Sequence, residues 1–272
     1  MIDVLIPTYR RKTGLAITLA SLFGQTHRAL RITIADQTPQ DERYTDAAEI
    51  ATILEAFRFR GVDVRVFHRS LRRGLAEQRD FLLSQAREPF VLFLDDDVLL
   101  EPEVLERMVR VIEEERCGFV GCAATGLSYL DDVRPHEQHI EIWEGRVAPE
   151  PFEPHAIPLE RHLVNNAANP LHLERRLVRG DDIVRYKVAW VGGANVLYDR
   201  EKLLDVGGFT FWNRLPSAHA GEEVLAQFLL IRRYGGCGIL PSGTYHLELP
   251  TTVVDRSHNA TALFEELLRE RV

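Results

Sequence analysis

PFVLFLDDDVLLEP, residues 89–102, decides how this chain folds. Residues 90–94 are an apolar run without period-two alternation. That pattern predicts a strand covered on both faces, near the centre of a parallel or mixed α/β sheet. Asp95, Asp96 and Asp97 follow at once, in the place where open α/β sheets bind ligands, beyond the carboxyl ends of their strands. Carboxylates roughly 6 Å apart repel by about 3 kcal/mol per pair at an effective dielectric near 20, so the cluster calls for a compensating cation. Hard oxygen ligands suit Mg²⁺ or Mn²⁺, which are often held by one or two carboxylates and the phosphates of a substrate. The plainer alternative is a turn into a helix that opens at Pro102.

Upstream, residues 2–6 read as a short strand ended by Pro7, and 13–23 as a helix. A strand over 30–35 ends at Asp36, a helix covers 46–59, and Val62, Val64 and Val66 alternate as an outer strand. A further helix runs from Gly74 to about 86. Three strand–helix units in succession predict a right-handed, doubly wound sheet. Downstream come a helix over 102–115 and a buried strand over 118–123, after which periodicity fades from 128 to 182, as in a loop-rich insertion over a site. Order returns at 186–191, followed by Gly192, Gly193, Ala194 and Asn195, an apolar segment to Tyr198 and a helix near 200–205. Gly221-Glu222-Glu223 opens a helix with Val224, Leu225, Phe228, Leu229 and Ile231 inward, 237–240 is a closing strand, and 260–269 a terminal helix.

The 272 residues, 45% of them hydrophobic, suffice for one large α/β domain. A formal net charge of -8 argues against nucleic acid or an anionic membrane as the main partner. Cys117, Cys122 and Cys237 are odd in number and form no C-x-x-C pair, so neither a disulfide framework nor a zinc site is expected, and a reducing cytoplasm is. No apolar run approaches the roughly eighteen residues of a membrane span, and the N-terminus begins with a strand in place of a signal. The expectation is a soluble protein, with peripheral membrane contact left open.

Several groups converge on the acidic rim. Asp36 ends a neighbouring strand and would accept hydrogen bonds from a base or ribose, or else close an Asx-turn with Thr38. Pro7, Thr8, Tyr9 and Arg10 offer backbone donors and an aromatic face. Arg69, Arg72, Arg73 and Arg79 lie where they would neutralise a diphosphate, although arginines in such runs are commonly solvated. Gly192 and Gly193 either let backbone approach a sugar or simply turn the chain. Glu222 and Glu223 stand in a first helical turn, which favours acids with or without chemistry. His246 is a metal or phosphate ligand or a structural histidine.

In order along the chain, IPTYRR (6–11), IADQT (34–38), RRGLAEQRDFLLSQA (72–86), VLFLDDD (91–97), VGGANVLYDREKLLDVGGF (191–209) and GEEVLAQFLLIRRYG (221–235) resemble a family 2 glycosyltransferase of the GT-A fold. The resemblance covers nearly all the chain except about 125–185. It implies a GT-A type, Rossmann-like doubly wound mixed sheet with a fused acceptor-binding half. Residues 1–124 would bind the nucleotide sugar, 125–185 form a variable insertion, and 186–272 carry the acceptor and catalytic half. It further implies a nucleotide-sugar donor, most simply a UDP-sugar, with Mn²⁺ or Mg²⁺ on the D-x-D motif. Transfer would be inverting, to a glycan, lipid-linked or small-molecule hydroxyl acceptor. Pro7, Thr8, Tyr9, Asp36, Arg73, Arg79, Asp95 and Asp96 would serve the donor, and Gly192, Gly193 and Asn195 the acceptor sugar. Asp97 and Asp95, with His246 as a further candidate, would hold the metal, and Glu223 would be the base with Glu222 as the alternative. Three departures from the family pattern stand out: Gln37-Thr38 after Asp36 where Gly-Ser after the acid is common, Asp80 after Arg79, and Glu223 in place of an aspartate. A nucleotidyltransferase is the competing enzyme, but such enzymes usually carry a glycine-rich phosphate loop after the first strand, where this chain has Pro-Thr-Tyr-Arg-Arg-Lys. A non-catalytic carbohydrate-binding protein on the same fold is the other alternative.

Overall fold

The computed structural model describes residues 1–151 and 159–270. The first strands and helices come in the expected order: β1 (Ile2–Thr8), α1 (Lys12–Phe23), β2 (Leu30–Asp36), α2 (Ala48–Phe59), β3 (Asp63–His68), α3 (Leu75–Gln85) and β4 (Phe90–Leu94). The chain continues through β5 (Val98–Leu100), α4 (Val104–Glu115), β6 (Phe119–Gly121), β7 (Thr125–Gly126), α5 (Asn169–Leu177) and β8 (Val184–Tyr186). It ends with β9 (Asn195–Asp199), α6 (Arg200–Asp205), α7 (Glu222–Tyr234), β10 (Gly236–Leu240), β11 (Thr244–His246) and α8 (Phe264–Arg269).

Among the described residues, eight strands form one sheet in the order β3-β2-β1-β4-β9-β6-β10-β8. β3, β2, β1 and β4 are mutually parallel, while β9 runs antiparallel to both β4 and β6, and β8 antiparallel to β10. The sheet is therefore mixed. Side chains of β4 alternate between two cores: Leu92 and Leu94 pack with α1, α2 and α4, and Val91 and Phe93 with α3, α6, α7 and α8. Burial on both faces explains the unbroken apolar run.

Four boundaries differ from the sequence expectation. β1 runs through Pro7 to Thr8, because pairing with β4 stops at Leu5 while pairing with β2 continues, which gives the proline an unpaired side. After the aspartates comes β5, not a direct turn into a helix; with only three residues it is too short for periodicity to reveal, and α4 starts at Val104. β5 joins β11 and β7 in a small second sheet, so Asp95–Asp97 occupy the joint between two sheets. Residues 237–240 do not close the large sheet, since β8 pairs outside β10, and the weakly patterned 128–182 segment contains the short helix α5.

Candidate active site

β1 and β4 are adjacent and parallel, so the segments following them meet at one rim. Thr8 Oγ1 donates to Asp96 Oδ2 at 2.5 Å. That uses its only proton, so Tyr44 donates to Thr8 across a second 2.5 Å contact. Arg11, on the loop after β1, lies 3.3 Å from Asp96 Oδ1, bonds Asp97 through the same nitrogen, and donates to the Pro250 carbonyl at 2.8 Å. Burial pushes the Asp96 carboxyl up to about 7 against the pull of Thr8 and Arg11, and Asp97 and Asp95 push it the same way. Asp95 keeps a third of its side chain open to the cleft but sits deep within it. Burial raises it to about 6, with Arg79 opposing and Asp97 and Glu223 adding to the rise.

The opposite wall starts at α7. Glu222 turns inward and accepts from Arg79 Nε at 3.1 Å, with both side chains only 2% exposed. Arg79 also reaches Asp95, Nη2 to Oδ1 3.5 Å, and so ties the two walls. Burial alone would lower the Arg79 pKa, but Asp95, Glu222 and Glu223 outweigh it and hold the guanidinium charged. Glu222 is pushed up to about 8 by burial and then by Glu223, with Arg79 opposing. Glu223, less buried than Glu222, lines the same cleft. Gly193 is wedged against it: a Cβ there would lie 2.7 Å from Arg79 Nη2 and 3.0 Å from Glu223 Cγ. His219 fastens the loop before α7, with Nδ1 2.7 Å from the Pro216 carbonyl and Nε2 accepting the Ala76 N–H at 3.1 Å. A backbone amide can only donate, which fixes the proton on Nδ1. Gly74 makes room, at φ 104°, where a Cβ would fall 2.3 Å from the His219 ring.

Between the walls lies a cleft of about 810 Å³, closed on a third side by residues 249 and 251–256. It gathers Pro7, Thr8, Tyr9, Arg79, Asp95, Asp96, Asp97, Gly193, Glu222, Glu223 and His246. Arg72 joins them, its guanidinium 3.9 Å from the centroid of the Tyr9 ring, whereas Arg10, Arg69, Arg73, Asp36, Gly192 and Asn195 do not line the cleft. Asp36 is fully buried and accepts the Thr38 N–H at 2.8 Å, the Asx-turn arrangement, while its neighbour Gln37 faces the cleft. Arg73 and Gly192 are exposed away from it. Asn195 is fully buried and donates to Thr244 Oγ1 at 2.9 Å, joining the two sheets. Sequence reading missed Arg11, Trp190, His219 and the 249–256 segment. Only the paired arginines of IPTYRR carried a signal, and the other three act through long-range contacts.

The rim has the chemistry of a hard-cation site. Asp97 Oδ1 is buried without a hydrogen-bond partner, and Asp95 lies beside it in the cleft. His246 Nε2 is 3.4 Å from Asp97 Oδ2, but its Nδ1 accepts the Glu248 N–H at 2.8 Å, so Nε2 carries the proton and points it at Asp97. Ligation through Nε2 would require giving up that Glu248 bond. Among the described residues no three His, Cys, Asp or Glu side chains converge as a complete cage. A one- or two-carboxylate site completed by substrate phosphates and water fits these residues.

The model of glycosyl transferase family 2 matches residues 3–202. The chain belongs to that family. An uncharacterized glycosyltransferase of Haemophilus influenzae is 27% identical over 114 residues, 42% of this chain and 35% of the relative. Among solved structures, the mannosyltransferase PcManGT of Pyrobaculum calidifontis, in complex with GDP-Man and Mn²⁺, superposes with a TM-score of 0.55 at 14% identity, covering 87% of this chain and 56% of that one. S. aureus TarS 1-349, in complex with UDP-GlcNAc, gives 0.56 at 15% identity, covering 99% and 65%. The chain thus spans about a third of the curated relative and less than two thirds of either solved chain. The GT-A fold expected of a family 2 glycosyltransferase is the fold observed. Among the described residues no helix is long and apolar enough to cross a membrane.

Proposed function

We propose that the chain transfers a glycosyl group from a nucleotide sugar, in the first instance a UDP-sugar, to an acceptor hydroxyl with inversion. The observation that carries this reading is the division of labour between the adjacent glutamates. Glu222 is buried and tied to Arg79, while the less buried Glu223 lines the cleft that also holds the acidic rim. Family membership and solved neighbours that hold UDP-GlcNAc and GDP-Man support it. Pro7, Thr8 and Tyr9 border the nucleoside side, and Asp36 acts there by shaping the turn that presents Gln37. Asp97 and Asp95 would hold Mn²⁺ or Mg²⁺, with His246 orienting Asp97. When bound, the cation would offset the charge gathering on the departing diphosphate. The Glu223 carboxylate takes the proton from the acceptor hydroxyl as the new oxygen–carbon bond forms and the bond from the anomeric carbon to the diphosphate breaks. The buried, unpaired cysteines suit a reducing cytoplasm.

A thermal-shift panel of UDP-, GDP-, CMP- and dTDP-sugars with and without Mn²⁺ tests the donor side. UDP-sugars should stabilise the protein with Mn²⁺ and not in EDTA. No shift with any nucleotide sugar would contradict the reading.

A further inference from the structure

Next to Glu223 the cleft has a flat apolar wall, Trp190, for which the chemistry above has no use. The His162 imidazole covers one face of its indole, with centroids 4.5 Å apart and planes 9° from parallel, and Phe228 meets it at 6.0 Å and 62°. Its backbone is equally fixed: the Trp190 carbonyl accepts from Asn165 Nδ2 at 2.8 Å, and Gln227 holds both the N–H and the carbonyl of Val191, each at 2.8 Å. Gln227 and Phe228, which hold this segment, follow Glu223 by four and five residues on α7, so the helix that carries Glu223 also fixes Trp190 in the same cleft. Val224, next to Glu223 in the chain, also lines the cleft.

A rigid aromatic plate beside a carboxylate suits a ligand with an apolar face and a hydroxyl edge. A pyranose ring has both: its C–H face covers an indole while its hydroxyls point sideways. An open-chain polyol or a serine side chain offers no comparable face. From this geometry we infer that the acceptor is a saccharide whose terminal sugar lies on Trp190 and turns its reacting hydroxyl to Glu223. The inference rests on the glycosyl-transfer reading and adds the class of acceptor.

The test uses indole N–H NMR signals, of which the chain has three, from Trp143, Trp190 and Trp212; loss of one in Trp190→Phe assigns it. Methyl β-glucoside, methyl β-galactoside, methyl α-mannoside and N-acetylglucosamine are titrated, with ribitol and a serine peptide as comparators, with and without UDP and Mn²⁺. At least one glycoside should move the Trp190 signal saturably, and neither comparator should. Trp190→Ala should raise the acceptor KM of that glycoside on the order of tenfold while leaving UDP affinity unchanged, and Trp190→Phe should recover part of the loss. A Trp190 signal that no glycoside moves, or that ribitol or the peptide moves as much, overturns the proposal. So does an unchanged acceptor KM in Trp190→Ala. Should that variant fail to fold, the wild-type titration and Trp190→Phe still decide. The titration without UDP reads the plate alone, so a failure of the donor reading shows separately, as an absence of UDP binding.

Discussion

The wall built on β1 and β4 is held by backbone pairing, whereas the wall built on residues 190–193 and 216–223 is held by side chains. On the first, Thr8 and Asp96 project from segments fixed by adjacent parallel strands, and Arg11 and Tyr44 add to an arrangement the sheet has already set. On the second, His219 pins one loop to α3, Gln227 pins another to α7, and Arg79 is buried between Glu222 and Asp95. A sheet rim is a rigid place for charges that, in the proposed reaction, must tolerate a cation and a diphosphate coming and going. A side-chain lattice can be retuned one residue at a time, which suits the side proposed to recognise the acceptor.

That contrast breaks most sharply at Glu223. Glu223→Gln keeps the shape but cannot accept a proton, so transfer should fall by roughly 10² to 10⁴-fold with UDP affinity unchanged, while Glu222→Gln should cost much less. Steady-state transfer rates measure both; a dead Glu222→Gln beside an active Glu223→Gln would exchange the roles. A smaller effect is expected at His219. His219→Ala releases the loop before α7 and leaves the buried Ala76 N–H without its partner, at a cost of about 1 to 3 kcal/mol. Transfer should drop about tenfold through misplacement of Glu223, again without change in UDP affinity in calorimetry. Weakened UDP binding would show that the walls are not separable.

The smallest effect is on stability against pH. The folded pKa of Glu222 lies above its unfolded value, so its contribution is complete below about pH 4 and is lost as pH rises through about 8. Melting temperature should therefore decline between about pH 4.5 and 8, and Glu222→Gln should flatten that decline, by roughly 2 to 4 °C for each kcal/mol involved. An unchanged slope in the variant would place the proton elsewhere.

The same contrast explains what the sequence disclosed. The apolar run at 90–94 followed by three aspartates had one sensible placement, because a strand buried on both faces must put its next residues at the rim. Glu222 and Glu223 were legible as a pair, but which of them is the more buried depends on Arg79, 143 positions from Glu222 in the chain. Asp36 had two readings: its Oδ1 accepts the Thr38 N–H in the Asx-turn arrangement, while its buried Oδ2 has no hydrogen-bond partner, so the turn occupies only half of the carboxylate. Asn195 carries no local sign that β11 would bring Thr244 to its amide. Trp190 and His219 were invisible for the same reason: each earns its place through a partner fixed only once the sheet has closed.

The proposed reaction requires the acidic rim to take up a cation before it accepts a diphosphate, and calorimetric titration of UDP with Mn²⁺ and with EDTA measures that requirement. The expected result is binding with Mn²⁺ in the wild type and in Glu223→Gln alike, none in EDTA, and none in Asp97→Ala under either condition. UDP binding equally well in EDTA, or to Asp97→Ala with Mn²⁺, would contradict it.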